Sequence, residues 1–368
     1  SYIVPRGPKN GGLNVESDRK RAVGRDLYLP EKPSQPFTEF WGTLPNKKEL
    51  EKGKIGRSDD LAIQTKIYPV DHSVYGASAI AIETSAGNVV YTGDLRLHGL
   101  GKELTDTFIS KARALSPRAL IVEGTRANRE KDEDVSEEDV RRNCLAAVEE
   151  ERNFVLADFG PRNFERLDTF LDIADATGRE LVVTSSDAYF LRALEAADPQ
   201  GRLDKVRGYT PLHDEKGSNK KVKEENWVRG LTPQEIAASP GQFIICFSLT
   251  DLPNLIDIQP KSGVYVYSNS EAFAEEQEFG FERLHGWLEH YGIGTVGLAM
   301  RKEGDRMVPE FQKGYHASGH ASADDLMDLV RRIDPEIVIP VHTTAPEMFE
   351  RLEGMRVIVP QRGRPIDI

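Results

Sequence analysis

The chain has 368 residues, 39% of them hydrophobic and 29% charged, with a formal net charge of −12 and a pI of about 5.3. That balance excludes a disordered chain and argues against a broad basic surface, although a polyanion held in a narrow groove by metal ions stays open. Nothing approaches the ~18 consecutive apolar residues of a membrane span, and two cysteines, Cys144 and Cys246, are too few for a thiolate zinc site and suit a reducing, cytoplasmic setting.

A length prior of ~150 residues per domain gives about two domains. Residues 1 to about 60 are polar with little periodicity, and Pro36–Trp41 is their one aromatic cluster. The pattern sharpens at Leu61. Ala62–Tyr68 and Ser78–Thr84 alternate as strands, Ser85–Asn88 turns, and Val89–Thr92 alternates again, which predicts a hairpin array ending in Gly93-Asp94. Ala119–Val122 reads as a short buried strand ending in Glu123-Gly124-Thr125. The acidic run Glu130–Asp139 leads into a helix.

Beyond it the rhythm is strand then helix. Strands are expected at Phe154–Leu156, Leu181–Val183, Phe243–Phe247 and Val264–Tyr267. Helical stripes are expected through Phe164–Ala174, Tyr189–Leu194 and Glu271–His290, with Phe273, Phe281, Leu284 and Leu288 on the last. Leu203–Pro240 reads as polar and irregular, with a solvated basic patch at Lys220, Lys221 and Lys223. Alternating βα units predict a mainly parallel sheet. The chain divides as 1–134, a βα insert at 135–296, and a return at 297–368 that completes the first piece.

Gly314–Thr343 concentrates the chemistry. His316 and His320 sit in a Gly/Ser-rich turn. Ser322 and Asp325 suit a helix start with a capping box, and Leu326, Leu329, Val330 and Ile333 repeat at helical spacing. The buried strand Ile337–Ile339 then presents His342. The ligand-capable side chains on loops are His72, Asp94, Glu123, His316, His320 and His342. Histidine with aspartate suits Zn²⁺, or Mn²⁺ where oxygen donors increase, and a carboxylate can bridge two ions as an imidazole cannot. His98, His213, His285 and His290 read as structural or surface residues.

At these residues the sequence resembles the metallo-β-lactamase superfamily, and within it the ribonuclease J-like members of the β-CASP nuclease branch. Asp71-His72-Ser73 with Gly76-Ala77, Tyr91-Thr92-Gly93-Asp94, Glu123-Gly124-Thr125, Ser318-Gly319-His320-Ala321-Ser322 and Pro340-Val341-His342 occur in the family's order. The resemblance implies an α/β fold, a metallo-β-lactamase-type αββα sandwich, N-terminally incomplete, with an inserted α/β β-CASP domain. It implies metal ligation by His72, Asp94 and His342, with Asp94 the bridging carboxylate. Glu123 would orient a histidine ligand, and His320 would protonate the leaving 3′-oxygen. His316, Ser318, Gly319, Arg162, Asn163 and Ser268 would contact substrate, the last three at strand-to-helix junctions of the insert (Asp158–Asn163 and Ser268–Ser270).

The cofactor implied is two Zn²⁺ and the substrate RNA, in the cytoplasm, with no membrane partner and a homo-oligomer left open. The superfamily's His-x-His-x-Asp-His motif does not occur in the sequence. Truncation is the favoured expectation over decay, because the later ligands are intact, and the chain alone is expected to show little activity. The alternatives are a catalytically dead binding or scaffold module and a small-molecule metallohydrolase.

Overall fold

A computed structural model describes residues 63–129, 135–196, 198–213, 215, 218–269, 275–304 and 306–368, together with Gln35 and two short strands, β1 (Leu27–Leu29) and β2 (Ile55–Arg57), which pair in parallel. The aromatic cluster Pro36–Trp41, Ser270 and Phe273 lie outside the described residues.

In chain order, β3 (Thr65–Pro69), β4 (Ser78–Thr84) and β5 (Gly87–Tyr91) form the expected antiparallel array. Helix α1 (Lys102–Ala114) follows, then β6 (Ala119–Glu123). The insert begins with α2 (Glu137–Glu150) and continues through β7 (Phe154–Asp158), α3 (Phe164–Thr177), β8 (Glu180–Val183), α4 (Ser185–Glu195) and β9 (Val206–Tyr209). Next come α5 (Ser218–Glu224), β10 (Arg229–Leu231), α6 (Pro233–Ala238), β11 (Phe243–Cys246), α7 (Leu255–Ile258) and β12 (Gly263–Tyr267). It closes with α8 (Glu275–His290), β13 (Ile293–Val296), β14 (Leu298–Glu303) and β15 (Arg306–Phe311). The return carries α9 (Ala323–Ile333), β16 (Ile337–Val341) and β17 (Arg356–Val357).

The chain forms two units: residues 1–72, 76–133 and 319–368, and residues 73–75 with 134–318. The first is a six-stranded mixed sheet in the order β17-β16-β6-β5-β4-β3, parallel from β17 to β5 and antiparallel beyond. One face is covered by α1 and α9. Phe108 and Ile109 from the first helix and Leu326, Leu329 and Val330 from the second pack on Val90, Leu120 and Val338. Among the described residues the other face holds only a small cluster around Ala119, Ile337 and Ile339. This is one sheet-and-helix layer pair of the expected sandwich.

The second unit is a seven-stranded parallel sheet, order β10-β9-β8-β11-β7-β12-β13. Its strands are near-continuous apolar runs because both faces are covered. The helices α2, α3 and α4 cover one face, and the segments after β10, β11 and β12 cover the other. Two expectations change here. The stretch Leu203–Pro240 is regular: it forms β9, α5, β10 and α6. Its polarity belongs to the edge strand β10, the short helices and the turns; β9 is buried throughout. The return starts at Gly319 rather than 297, because the β14–β15 hairpin and the segment after it pack on the insert. Phe311 meets Tyr267 and Phe281, and Ala317 is fully buried in the insert core.

A fully buried ion pair ties the insert's ends together. Arg166 bonds Glu137 at the start of the incoming helix (Nη2–Oε2 2.9 Å) and the carbonyls of Ser268 (2.7 Å) and Tyr315 (3.3 Å). Asn143 donates to the Gly314 carbonyl at 2.9 Å. The free cysteines, Cys144 and Cys246, are buried. No helix among the described residues is long and apolar enough to cross a membrane.

Asp158, at the end of β7, is buried, and desolvation pushes its carboxyl up to about 6 despite hydrogen bonds from Tyr265 and Asn269. The folded chain therefore holds this proton where the unfolded chain has lost it. Its contribution to stability is greatest below pH ~4, falls as pH rises to about 6, and stays low above, a span of ~3 kcal/mol. Asp158→Asn is expected to stabilise the chain by up to ~3 kcal/mol at neutral pH and by almost nothing near pH 3.5. Denaturant unfolding of the two proteins across that range checks it.

Candidate metal centre

The centre is built at the ends of the first unit's strands. At the end of β5 the chain must turn sharply to present Asp94. Gly93 makes that turn at φ 61°, and a Cβ there would strike the Ser78 carbonyl. His72 follows β3, Glu123 ends β6, and His342 directly follows β16 with φ 56°.

One ligating atom from each of His72, Asp94 and His320 lies within 4.8 Å of the others. The two imidazole rings are 5.0 Å apart. His342 is also near Asp94: its Nδ1 is 3.7 Å from Asp94 Oδ1 and 3.4 Å from Thr125 Oγ1, and its ring is exposed. The sequence-stated ligands His72, Asp94 and His342 are thus gathered, but the tightest trio contains His320 in place of His342.

Both inner histidines are oriented through Nδ1. His72 Nδ1 donates to the Gly319 carbonyl, and His320 Nδ1 donates to Glu123 Oε2 at 2.8 Å. Each therefore keeps Nε2 for a metal or a proton. The other Glu123 oxygen, Oε1, accepts the Leu95 N–H at 2.6 Å, so one buried carboxylate holds the residue after Asp94 and the His320 ring together. Burial lowers the pKa of His72 and outweighs its bond to Gly319. Burial also pulls His320 down, but the hydrogen bond and charge of Glu123, with Asp94 beyond, carry it above the ordinary value. Neutral imidazole is the ligand form and protonated imidazole the acid form, so the two histidines are set for different tasks.

A buried support lies beneath them. Arg96 is fully buried and its Nε meets Asp71 Oδ1 at 3.2 Å. The Arg96 N–H donates to the Asp71 carbonyl at 2.8 Å. Thr105 Oγ1 accepts the Asp71 N–H and donates to the Arg96 carbonyl, both at 3.0 Å. Gly99 leaves the space that the pair fills; a Cβ there would collide with both side chains. Asp71 adjoins His72, and Arg96 lies two residues after Asp94. Sequence reading missed Arg96 and Thr105, and the only signal was their closeness to Asp71 and Asp94.

The remaining residues named from sequence are placed as follows. Gly319 contributes its carbonyl to His72. Asn163 is the buried cap of α3, accepting from Arg166 N at 3.1 Å. Ser268 is buried against Arg166 and Tyr315. These two side chains are engaged inside the insert, which explains their polarity without a substrate. Arg162 is exposed, with its guanidinium 6.0 Å from the Phe190 ring. His316 and Ser318 belong to the second unit. Ser322 stands at the start of α9, but its hydroxyl caps nothing and is buried without a hydrogen bond, so the capping box does not form. The turn is held instead by the backbone: Ala321 N–H to the Leu95 carbonyl at 2.8 Å and Ala323 N–H to that of Arg129 at 2.9 Å.

Comparison with known proteins agrees with this arrangement. The family profile RMMBL, the Zn-dependent metallo-hydrolase RNA specificity domain, matches residues 306–353. Ribonuclease J of Pyrococcus abyssi is 25% identical over 343 residues, 87% of this chain and 69% of that protein. Ribonuclease J of Sinorhizobium meliloti is 23% identical over 348 residues (90% and 56%), and that of Mycolicibacterium smegmatis 22% over 303 residues (81% and 50%). The chain spans roughly half to two-thirds of the length of these relatives. A crystal structure of a protein of unknown function from Enterococcus faecalis shares the fold, with a TM-score of 0.65 at 23% identity over 93% of this chain and 75% of that one. The mixed sheet, its parallel insert and the His/Asp cluster define a metallo-β-lactamase-type α/β protein. The chain is similar to ribonuclease J proteins over most of its length, and its segment 306–353 matches the RNA specificity domain of Zn-dependent metallo-hydrolases.

Arg96→Ala is expected to strand the buried Asp71 charge and cost ~3–5 kcal/mol, whereas Asp71→Asn with Arg96→Met costs much less. Denaturant unfolding, with amide hydrogen exchange at Leu95 and Arg96, reads both.

Proposed function

We propose that this chain is part of a zinc-dependent ribonuclease of the ribonuclease J type, hydrolysing RNA phosphodiester bonds. The observation that carries the reading is the gathering of histidines around Asp94: His72 and His320, mutually within 4.8 Å with it, and His342, whose Nδ1 is 3.7 Å from Asp94 Oδ1. Mixed imidazole and carboxylate donors fit Zn²⁺, with Mn²⁺ as a substitute. His72, Asp94 and His342 would hold metal. A complete pair of ions needs the His-x-His-x-Asp-His set as well, so the reading concerns the protein in which both sets meet. When bound, zinc supplies Lewis acidity, polarising a phosphoryl oxygen and making water nucleophilic near neutral pH.

The chain's own residues do the rest. Asp94 would hold metal through its carboxylate, beside the histidine donors. His320 keeps a proton on Nε2 and delivers it to the leaving 3′-oxygen. Glu123 holds His320 in that orientation by fixing Nδ1 and preserves the protonated form through its charge. The basic side chain Arg162 faces solvent on the insert, where it would meet the RNA backbone.

The test expresses the chain with the coding sequence upstream of Ser1, or joined to a segment bearing His-x-His-x-Asp-His, and assays labelled RNA. His320→Ala is expected to lower kcat by about 100- to 10,000-fold with zinc content unchanged. Asp94→Asn should lower zinc content and activity together. A completed protein that binds zinc yet cleaves neither RNA nor DNA overturns the nuclease reading; one that binds no zinc supports a binding or scaffold module.

A further inference from the structure

The insert contains a cavity of about 210 Å³ at the carboxyl ends of β8, β11 and β7, which lie side by side. Its floor includes Ala157, Val183 and Cys246, one from each strand. The place follows from topology. The helices after β7 and β8 pack on one face of the sheet, while the segment after β11, between them, packs on the opposite face. Where successive connections diverge in this way a parallel sheet opens a crevice that ligands occupy.

Backbone starts of this kind ordinarily attract phosphate. Here they are closed to it. Thr184 Oγ1 accepts the Asp187 N–H, and Asp187 Oδ2 accepts from Thr184 N and Oγ1. Asp251 Oδ2 accepts likewise from Ser248 N and Oγ. Both carboxylates line the cavity, and among the described residues the Oδ1 atom of each has no protein hydrogen bond. The site therefore offers acceptors and negative charge, the opposite of a phosphate cradle. Its walls include three aromatic rings, Phe159, Phe164 and Phe190, with hydroxyls of Ser186 and Thr250 at the exposed side.

Flat apolar walls with carboxylate acceptors at the rim select a planar ring that presents adjacent N–H donors. The volume, below the ~300 Å³ of drug-sized pockets, holds one ring system. We propose that this cavity is a guanine-binding subsite. Guanine alone among the four RNA bases presents two neighbouring donors, N1–H and the exocyclic amine, to a carboxylate. Adenine and cytosine place an acceptor nitrogen beside their amine, and uracil flanks its single N–H with carbonyls, so each would set a lone pair against a carboxylate. Stacking on the phenylalanines adds base affinity without choosing among bases. The inference rests on the RNA reading for its biological setting but not for its test.

The test is isothermal titration of the chain with guanosine, adenosine, cytidine, uridine and 1-methylguanosine at neutral pH. Guanosine is expected to bind at least ~10-fold more tightly than the other ribonucleosides, and 1-methylguanosine, whose N1 donor is blocked, to lose that advantage. Asp187→Asn and Asp251→Asn, checked by thermal melting, should each weaken guanosine ~10-fold or more. Equal binding of all four nucleosides, no saturable guanosine binding, or 1-methylguanosine binding as well as guanosine overturns the proposal. So does displacement of guanosine by spermidine at equal concentration, which would mark a simple cation site. RNA cleavage without guanosine binding removes this inference alone; guanosine binding without nuclease activity in the completed protein removes the ribonuclease reading alone.

Discussion

The candidate centre depends on the burial of one ion pair. Asp71 and Arg96 are both out of water, joined by their side chains, by their backbones and by Thr105. Two charges in such a place gain little net stability over an apolar pair, because desolvation offsets most of their attraction. Their value is positional. His72 and Asp94 stand on separate loops, and loops are the mobile parts of a fold. By locking the residues beside each, the pair turns two loops into one rigid platform, and Glu123 extends it to the turn that carries His320. A metal site needs donors held to a fraction of an ångström, and buried polar contacts with fixed partners provide that.

The same chemistry explains how the two inner histidines diverge. They sit 5.0 Å apart and are similarly buried, yet one is bonded to a neutral carbonyl and the other to a carboxylate. Burial disfavours the cation in both, and only in His320 does a carboxylate hydrogen-bonded to the ring reverse it. The difference in how readily the two rings take a proton thus follows from what each Nδ1 touches.

The sequence made the architecture legible where pattern and structure share a cause. The alternation in Ser78–Thr84 reports a half-covered strand, and the apolar run at Ile337–Ile339 reports one covered on both sides. Ligand types on loops were visible because His and Asp at strand ends have few other reasons to be there. What was hidden depends on distance in the chain. Arg96 gives no sign in sequence that it will be fully buried, since its partner lies 25 residues earlier. Asn163 and Ser268 looked like substrate contacts because a capping or packing side chain and a binding one are the same residue types at the same junctions. Ser322 has the letters of a capping box, but neighbouring backbone satisfies that turn first. Between Leu203 and Pro240 the edge strand β10 is mostly exposed and β9, though buried, contains Arg207 and Gly208, so periodicity fades where structure persists.

The bond network around Arg166 bears on how such a chain could arise. Glu137 opens the insert's first helix and Tyr315 lies near its last residue, and one guanidinium holds both. A flexible segment of this length would raise the entropy of closing the crossover between β6 and β16, although that cost grows only with the logarithm of length. A segment that fastens its own two ends presents the host sheet with the equivalent of a short turn. The register of β6 against β16 is then indifferent to what lies between them. A fold of this kind can acquire, lose or exchange the whole second unit as a cassette, with the selection for compatibility falling on a few residues around Glu137, Arg166 and Tyr315 rather than on the sheet.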